Sequence, residues 1–571
     1  MNTPQIDPLK KQLLQPAIIR LFEKREIFEN IQEFFSWNLK ELPDLTNMKD
    51  MEKTVQRITE AIDNNQLIGI YGDYDVDGTT SCALFYHFFD MIGVKVKLFQ
   101  PSRFIEGYGV HNSSVDKALE EGVSLLLTVD CGITNIETCD YAKEKDLDLI
   151  ITDHHKDARE HLPRAYAVVN PNRRDEESEI LKPLAGVGVA FAICLAIKNN
   201  WAKSGKEIPS IYPLLQFVAI GTICDMAKLT PMNMKLTRHG LKQIPKTQYS
   251  GIASFFTDED RKCEVTPSEK ISFYVGPLIN SKGRLDHPEK ALNLLISSDY
   301  KEAFSNYSHL EISNRERKII QKEVFDEAKA KIIKEIKVGD IYSAITYSPD
   351  WHEGVIGIVA SKLVETFEVP AMVFTNSEDP NIIKASCRSA GELNLYECLK
   401  KCSDLFLKFG GHKAAAGLSM PKENFSLFKE RMNNMLLSIP EIERTVQDQY
   451  DIDLKFEEIN KKLIKELELM EPFGMGNSRP NFRMINARIE SYKILKDLHV
   501  KWTFVSDDLP GQKIGGISFN FIGKWNTLLP DELFEKQNRE GLCVQFSLGI
   551  NRFRGNEIIQ LMVDKIFLSV S

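Results

Sequence analysis

The sequence lacks the segments that carry proteins into or across membranes. No stretch approaches the roughly 18 uninterrupted apolar residues of a membrane helix. The first residues, Met1 to Lys11, contain an aspartate and two prolines instead of the apolar core of a signal peptide. We therefore expect a protein that neither spans a membrane nor is secreted.

A cysteine framework is also missing. The ten cysteines include no Cys-x-x-Cys pair, and the closest two, Cys398 and Cys402, have no matching histidine pair nearby. Scattered cysteines of this kind are typical of reduced, buried thiols. The pattern predicts a cytoplasmic protein and argues against a disulfide scaffold or a zinc site.

The chain has no excess of positive charge. Its formal net charge is -9, which argues against a protein that coats nucleic acid by bulk electrostatics. An enzyme whose metal ions neutralise an acidic site can still act on a polyanion, so net charge does not decide the substrate. A chain of 571 residues is too long to fold around a single hydrophobic core. At about 150 residues per domain, its length predicts three or four domains.

Three aspartates on alternate residues are the most informative feature that is present. Asp73, Asp75 and Asp77 directly follow the apolar run Leu67 to Tyr71, which predicts a buried strand. So much negative charge at a strand end is costly unless a cation neutralises it, and oxygen-rich clusters suit Mg²⁺, Mn²⁺ or Ca²⁺. The cluster therefore predicts a metal site.

The aspartates allow two other interpretations. An EF-hand loop begins in the same way, but it needs a Glu at its twelfth position, where this chain has Leu84, and a helix instead of a strand in front. The aspartates can also serve as caps of a helix that starts near Thr79. One Asp would suffice for a cap, so capping alone does not account for three.

The surrounding sequence predicts a parallel sheet. From about residue 50 to 240, strand-like runs alternate with helical patterns, and such sheets bind ligands beyond the carboxyl ends of their strands. Asp130 follows the third predicted strand, and Asp153, His154 and His155 follow the fourth. We expect these side chains to meet the three aspartates at one edge of the sheet.

Carboxylates with histidine fit Mn²⁺ well and Mg²⁺ acceptably, and two ions sharing a carboxylate are the usual device for phosphoester hydrolysis. Asp130 is the candidate for the shared carboxylate. His154 and His155 point to opposite faces, so we expect one to bind metal and the other to face the phosphate. Asp225, in an otherwise apolar helix, is either a further ligand or a helix-end residue.

The rest of the chain predicts further domains. Residues 1–44 form an N-terminal segment without a clear role, 45–300 the metal-binding domain, and 301–338 a charged connecting helix. Residues 339–440 predict a smaller α/β domain with a helix from Leu395 to Phe409. Short strands in 441–571 predict a small barrel or sandwich.

Several motifs resemble those of the DHH phosphoesterases. These are Asp73-Tyr-Asp-Val-Asp-Gly78, Val129-Asp-Cys-Gly132, Thr152-Asp-His-His155 and Gly221-Thr-Ile-Cys-Asp225, with Gly410-Gly-His-Lys-Ala-Ala-Ala-Gly417 resembling the accessory DHHA1 domain. Three more resemble the bacterial single-strand-specific exonucleases of that superfamily, namely Pro277 to Leu285, Ser386 to Ser389 and Glu471 to Asn477. The resemblance covers roughly residues 45 to 571.

The resemblance implies roles for individual residues. The implied metal ligands are Asp75, Asp77, Asp130, His154 and Asp225, while Asp73 stands where relatives often have His. His155 corresponds to a histidine that contacts the phosphate. The candidate catalytic residues are His155, Asp130 and Asp153. Arg284, Ser386 and Arg388 are implied to hold the 5' end, and His412 to lie near substrate phosphates. Leu278 and Ala385 depart from the usual Arg and Gly.

Two short segments predict further contacts with nucleic acid. Gly410 and Gly411 can bring backbone amides close to a phosphate. Arg552, Phe553 and Arg554 place two cations around an aromatic ring, which suits stacking on bases, although such hairpins are common. The resemblance implies an OB-like barrel in this region.

The implied activity is 5'-to-3' hydrolysis of single-stranded DNA to 5'-mononucleotides with two Mn²⁺ or Mg²⁺ ions, in recombination and repair. The implied partners are single-stranded DNA, a RecQ-type helicase and a single-strand-binding protein, and we expect a monomer. One alternative is an enzyme of the superfamily that cleaves oligoribonucleotides or cyclic dinucleotides. Another is a non-catalytic replication scaffold resembling the helicase subunit Cdc45.

Overall fold

A computed structural model of the chain describes residues 14–101, 107–157, 161–282, 289–336, 341–447, 449–506, 509, 511–523, 528–553 and 556–568. Up to residue 336 the strands are β1 (Leu67–Gly72), β2 (Val96–Phe99), β3 (Val123–Val129), β4 (Asp148–Thr152) and β5 (Ala167–Val169). The helices there are α1 (Pro16–Lys24), α2 (Ile31–Phe35), α3 (Met51–Asp63), α4 (Val76–Met91), α5 (Asn112–Glu120), α6 (Ile136–Glu144), α7 (Gly186–Lys203), α8 (Leu215–Cys224), α9 (Pro231–Gln243), α10 (Ser250–Ala253), α11 (Ser268–Lys270), α12 (Gly276–Lys282), α13 (Glu289–Ile296) and α14 (Tyr300–Ile336).

Beyond residue 340 the strands are β6 (Ala344–Tyr347), β7 (Ala371–Asn376), β8 (Ile382–Arg388), β9 (Lys408–Gly411), β10 (Ala415–Pro421), β11 (Ile452–Asp453), β12 (Phe482–Met484), β13 (Arg488–Leu495), β14 (His499–Val505), β15 (Lys513–Ser518), β16 (Leu542–Phe553) and β17 (Asn556–Leu568). The helices are α15 (Glu353–Phe367), α16 (Leu395–Lys400), α17 (Phe425–Leu437), α18 (Glu441–Arg444), α19 (Lys461–Glu468) and α20 (Pro530–Glu540).

The chain divides into two compact units. One comprises Glu26–Asn314 together with Glu466–Arg479, and the other comprises Gln15–Arg25, Arg315–Lys465 and Pro480–Ser571. We call them the first unit and the second unit. The long charged helix predicted between domains is α14, a single helix of 37 residues.

The first unit contains the predicted parallel sheet, with strand order β2-β1-β3-β4-β5. Strand β3 shows why the sheet is covered on both faces. Leu125 and Leu127 pack into one apolar cluster and Leu126 into another, and all three are fully buried. A strand buried on both sides is a continuous apolar run, which is the pattern that the sequence shows there.

A distant segment completes the first unit. Glu466–Arg479 returns to it, and the Leu229 amide donates a 2.7 Å hydrogen bond to the Met475 carbonyl. The Asn477 side chain, which is buried, donates to the carbonyls of Met470 and Pro472 at 2.8 Å each. Leu229 is the fourth residue after Asp225, so this segment braces the turn that follows the predicted ligand.

The second unit contains two sheets, with orders β6-β7-β8-β10-β9 and β11-β12-β16-β17-β15-β14-β13. The meander β13-β14-β15, the helix α20 and the parallel pairing of β15 with β17 give the OB topology that the resemblance implies. The prediction of one helix from Leu395 to Phe409 was wrong. The helix ends at Lys400, and Phe409 pairs with Leu418 in the β9–β10 ladder, because sheet pairing overrides local helical spacing.

All ten cysteines are free, and eight of them are buried. Among the residues with described structure, no helix combines the length and apolar character needed to cross a membrane.

Candidate metal centre

The acidic and histidine side chains meet where the sequence predicts, at the carboxyl ends of neighbouring strands. β1 pairs with β3 and β3 with β4, all in parallel. The sheet ladder continues one residue beyond each strand, since the amide of Asp73 donates to Val129, that of Asp130 to Thr152 and that of Asp153 to Val169. The three turns are therefore fixed relative to one another. The site lies where strand order reverses between β1 and β3, the usual position for ligands in such sheets.

The helix-cap interpretation of the aspartates is correct for one of them. Asp75 is the N-cap of α4, and its Oδ1 accepts a 3.0 Å hydrogen bond from the Gly78 amide. Asp73 and Asp77 are buried, at 3% and 0% exposure, and neither is the N-cap of α4. A carboxylate used as a cap keeps its second oxygen, so Asp75 can cap α4 and also bind a cation.

Asp77 is held by a helix that the sequence did not single out. Its Oδ2 accepts the Gly186 amide at 2.6 Å and its Oδ1 the Val187 amide at 2.9 Å, both from the first turn of α7. A helix N-terminus stabilises negative charge. A Cβ at Gly186 would lie 2.8 Å from the Asp130 Cβ, so only glycine lets α7 approach this closely.

His154 lies at the centre of the cluster. Its Nε2 is 3.1 Å from the Asp130 Oδ1 and 3.8 Å from the Oδ2 atoms of both Asp77 and Asp225. A hydrogen bond to the Leu184 backbone orients the ring. Burial, followed by the charge of His155, lowers the pKa of His154 to about 4, so its Nε2 carries a lone pair at neutral pH.

The geometry fits divalent cations. Within the described residues, Asp73, Asp75 and Asp130 form one group that can hold an ion, Asp77, His154 and Asp225 a second, and Asp130, His154 and His155 a third. The Asp130 Oδ1 and His154 Nε2 are both buried acceptors that no described donor satisfies. Two such atoms 3.1 Å apart repel unless a cation lies beside them. Asp130 belongs to the first and third groups, and its Oδ1 lies 3.1 Å from the His154 Nε2 of the second, as expected for a shared carboxylate.

The cluster is electrostatically strained without a cation. Burial, then the charge of Asp75, raises the pKa of Asp77 to about 7. Burial, then the charge of Asp77, raises the pKa of Asp225 to about 8 and also raises that of Asp130. Asp130 also has a left-handed backbone with φ of +59°, and such strain is typical of functional sites.

These shifts predict how cation binding depends on pH. A carboxyl group whose pKa is higher in the folded than in the unfolded protein stabilises the fold at low pH. This stabilisation is lost as the pH rises through the pKa of the folded state. Cations bind the deprotonated form and relieve the repulsion. We expect Mn²⁺ to raise the melting temperature of EDTA-treated protein more at about pH 8.5 than at about pH 6.

Differential scanning fluorimetry of metal-free and Mn²⁺-loaded protein across this range measures the effect. In Asp225→Asn, the Mn²⁺-induced rise in melting temperature should increase less with pH, because the carboxyl whose pKa is raised to about 8 is removed. A larger Mn²⁺ effect at the acidic end would contradict the electrostatic account.

His155 and Asp153 form a pair beside the cluster. The His155 Nδ1 lies 2.8 Å from the Asp153 Oδ1, which also accepts the amides of His154 and His155. The Asp153 Oδ2 accepts the Ile133 amide at 3.0 Å. Burial alone would lower the pKa of His155, but the hydrogen bond and charge of Asp153 raise it to about 9. Asp153, fully buried, thus holds the loop and orients His155.

Two of the predicted substrate-binding residues, Ser386 and Arg388, contact each other in the second unit. The Arg388 Nη1 donates to the Ser386 Oγ at 3.1 Å, and a Cβ at Gly357 would come within 3.0 Å of that oxygen. His352, the N-cap of α15, is in the same helix as Gly357. Gly357 was not predicted from the sequence, although Gly354-Val-Ile-Gly357 at a helix start was a visible signal.

Gly410 and Gly411 are exposed on the edge strand β9, and a Cβ at Gly410 would meet open space. The His412 amide donates to the Ala415 carbonyl at 2.9 Å and is therefore used within the hairpin. Arg284 and Arg554 lie outside the described residues. For Arg552 and Phe553 the backbone forms the end of β16, but their side chains are not among those described.

Tyr108, whose hydroxyl lies 3.0 Å from the His155 Nδ1, was also not predicted from the sequence. Its flanking glycines, Gly107 and Gly109, were the available signal. Leu278, where the resemblance leads one to expect Arg, is buried in the core of the first unit.

Comparison with known proteins agrees with this architecture. Residues 67–222 match the DHH family N-terminal domain, 339–437 the DHHA1 domain and 450–565 the RecJ OB domain. The chain is 32% identical to the single-stranded-DNA-specific exonuclease RecJ of Haemophilus influenzae over 96% of both chains. It is 31% identical to the Bacillus subtilis protein of that name, covering 93% of this chain and 69% of the relative. The crystal structure of RecJ in complex with Mn²⁺ from Thermus thermophilus matches with a TM-score of 0.79 and 25% identity, over 100% of this chain and 79% of that one.

Proposed function

Because the chain belongs to the RecJ family, we propose that it is a single-stranded-DNA-specific exonuclease that hydrolyses its substrate from the 5' end and releases 5'-mononucleotides. The observation that carries the proposal is the convergence of five carboxylates and a histidine at one edge of the parallel sheet. A chain with this cluster and all three matched domains has both a centre for phosphodiester cleavage and a domain suited to unpaired nucleotides.

The residues proposed to hold two Mn²⁺ or Mg²⁺ ions are Asp73, Asp75, Asp77, Asp130, His154 and Asp225. When bound, two such ions supply Lewis-acid polarisation of the scissile phosphate and activation of the attacking water. Carboxylate oxygens with one imidazole suit Mn²⁺ well, and the related Thermus structure contains Mn²⁺.

His155 is proposed to act on the phosphate through its Nε2. Its Nδ1 faces Asp153, so Nε2 is the ring atom that can meet a substrate. With a pKa raised to about 9 by Asp153, the ring is protonated at neutral pH and can donate to a phosphate oxygen or to the departing 3'-oxygen. Asp153 is proposed to keep that ring oriented. Asp130 is the proposed shared carboxylate, supported by its membership in the group with Asp73 and Asp75 and by its 3.1 Å distance to His154 of the other group.

We propose that the strand is held by Arg284, Ser386, Arg388, Gly410, Gly411, His412, Arg552, Phe553 and Arg554. Cationic and hydroxyl side chains suit a 5'-phosphate, and backbone amides near glycines suit phosphates further along the strand. This part of the proposal is supported by the resemblance of the motifs and, for Ser386 and Arg388, by their mutual contact.

The OB sheet offers a further surface for nucleotides. Lys493 on β13 lies directly opposite Lys501 on β14, an arrangement that is unfavourable unless an anion compensates. Lys501 is paired in turn with Ile517 on β15, and Phe519, at 56% exposure, packs edge-on against His499. Cations beside an exposed ring suit phosphates and bases of a single strand.

The finer biological assignments belong to the same proposal. They are a role in recombination and repair, the reducing cytoplasm, a monomeric state, cooperation with a RecQ-type helicase and a single-strand-binding protein, and the domain limits 1–44, 45–300, 301–338, 339–440 and 441–571. Ten free cysteines support the compartment, and the matched ranges of the three domains support the limits.

The alternatives are less well supported. An enzyme for short oligoribonucleotides or cyclic dinucleotides has no evident use for a RecJ OB domain at 450–565. A non-catalytic scaffold has no need of a cluster whose carboxylates repel one another in the absence of a cation.

A direct assay tests the proposed function. Purified protein with Mn²⁺ should degrade a long single-stranded oligonucleotide labelled at its 5' end and release the labelled mononucleotide first. The matched duplex and an EDTA-treated reaction are the controls, and both should remain intact. Release of a 3' label first would refute the polarity. A rate that falls sharply from dinucleotide to long substrates would favour the oligonucleotidase.

A further inference from the structure

A glycine–tyrosine–glycine segment is fixed beside the metal centre. Gly107 and Gly109, on either side of Tyr108, have φ of +83° and +92°, a conformation that glycine adopts without strain. The Gly109 carbonyl accepts a 3.0 Å hydrogen bond from the buried Tyr71 hydroxyl, and a Cβ on Gly109 would lie 2.7 Å from the Asn135 side chain. The segment therefore presents Tyr108 in one defined position.

The Tyr108 hydroxyl joins two parts of the centre. It lies 3.2 Å from the Asp130 carbonyl and 3.0 Å from the His155 Nδ1. The two rings also meet edge to face, with centroids 5.5 Å apart at 73°. Tyr108 thus bridges the backbone of the shared carboxylate residue and the imidazole proposed to face the phosphate.

The donors and acceptors can be assigned. An ionised Asp153 only accepts, so the His155 Nδ1 donates to it at 2.8 Å. The Tyr108 hydroxyl then donates to the Asp130 carbonyl and turns a lone pair of its oxygen towards the same Nδ1–H. One contact at Nδ1 leaves the ring free to pivot about that hydrogen bond. The second contact and the edge-to-face packing remove that freedom.

The exposure of His155 makes this restraint important. Its side chain is 44% exposed, so tight packing does not fix the ring as it does for His154, which is 15% exposed. An imidazole held on one side by Asp153 and on the other by Tyr108 keeps its Nε2 in a fixed direction. The hydrogen bond from Tyr108 to the Asp130 carbonyl fixes the direction of the His155 Nε2 relative to the ion-binding groups.

We propose that Tyr108 is a positioning residue, whose hydroxyl orients the His155 imidazole relative to the metal centre and so raises the rate of the chemical step. This inference rests on the proposed function for the effect on rate, but the orientation of the ring is independent of it.

The central test is Tyr108→Phe, which keeps the ring and removes the hydroxyl. With a 5'-phosphorylated single-stranded oligonucleotide and Mn²⁺, we expect kcat to fall about five- to tenfold, the value of one hydrogen bond. KM and the affinity for Mn²⁺ should stay within about twofold, because the described partners of the hydroxyl are the Asp130 carbonyl and the His155 Nδ1, neither of which is a carboxylate oxygen. The matched control is Tyr141→Phe, which removes a hydroxyl bonded to Asp116 elsewhere in the first unit and should leave kcat unchanged.

A double-mutant cycle distinguishes positioning from general damage. If Tyr108 acts through His155, Tyr108→Phe added to His155→Ala should slow the enzyme no further. The same loss in both backgrounds, or a Tyr108→Phe enzyme as fast as the Tyr141→Phe control, would overturn the inference.

A second measurement does not depend on activity. In EDTA-treated protein labelled with ¹⁵N-histidine, the ring signals of His155, assigned by their absence in His155→Ala, should shift in Tyr108→Phe but not in Tyr141→Phe. Unchanged signals would refute the positioning role even in an active enzyme. If the signals shift but the protein has no nuclease activity, the proposed function is rejected and the positioning of the His155 ring by Tyr108 still holds.

Discussion

Asp130→Asn is expected to abolish nuclease activity while leaving the fold intact, the largest effect expected of any single substitution. Asp130 contributes to two of the groups that can hold an ion, and its Oδ1 lies 3.1 Å from the His154 Nε2. An amide is a weaker ligand and carries no charge, so binding of both ions should suffer. The loss of several kcal/mol of transition-state stabilisation corresponds to a fall in kcat of more than about 10³-fold.

Asparagine is the appropriate replacement because of the backbone. Asp130 has φ of +59°, and asparagine adopts this left-handed conformation more readily than alanine. The amide also removes one of several buried charges that repel each other, so the melting temperature of metal-free protein should be unchanged or higher.

Nuclease rates and the number of Mn²⁺ ions bound in calorimetry measure the effect of Asp130→Asn. The control is Asp90→Asn, an exposed aspartate near the end of α4, the helix that begins at the metal centre. Full activity with two ions bound in Asp130→Asn would remove the basis for a shared carboxylate.

His155→Ala should give the second largest loss, of about 10²- to 10⁴-fold in kcat, the range of a group that transfers a proton in the transition state. In contrast to Asp130→Asn, binding of Mn²⁺ should persist. Two groups that can hold an ion do not include His155: one is formed by Asp73, Asp75 and Asp130, and the other by Asp77, His154 and Asp225. The Nδ1 of His155 is instead bonded to Asp153.

Single-turnover rates at saturating Mn²⁺ separate this loss from weaker metal binding. The exposed His161, in the same unit, provides the matched variant His161→Ala, which should match the wild-type rate. If His155→Ala lost its activity only by losing a metal ion, its role would be that of a ligand and not of a proton donor.

Much of the metal centre could be predicted from the sequence because strand polarity is a strong constraint. Asp73, Asp130 and Asp153 each stand one residue beyond an apolar strand, and parallel strands bring such positions to one edge. The long charged stretch from Arg315 to Lys337, which lacks Gly and Pro, also predicted most of α14, and apolar runs predicted the strands of the first sheet. These features depend on local periodicity, which a single sequence records directly.

The sequence predicted less where contacts between distant residues decide the structure. The motif of three aspartates allowed both capping and metal binding, and only the backbone at the start of α4 shows that Asp75 is the cap. The amides of Gly186 and Val187 are over 100 residues from Asp77, and their composition gives no sign of a bound carboxylate. The predicted helix from Leu395 extended to Phe409, the second residue of β9, because the sequence does not show the pairing with β10 that outweighs local helical spacing.

By itself, the sequence determined the chemistry of the site: which side chains are acidic, which are histidine, and at which strand ends they stand. The tertiary structure alone decided how the work is divided among them. His154 is buried among carboxylates and its pKa falls to about 4, whereas His155, the next residue, faces Asp153 and Tyr108 and its pKa rises to about 9. Two identical neighbours differ because burial and nearby charge, which set a pKa, are properties of the folded environment.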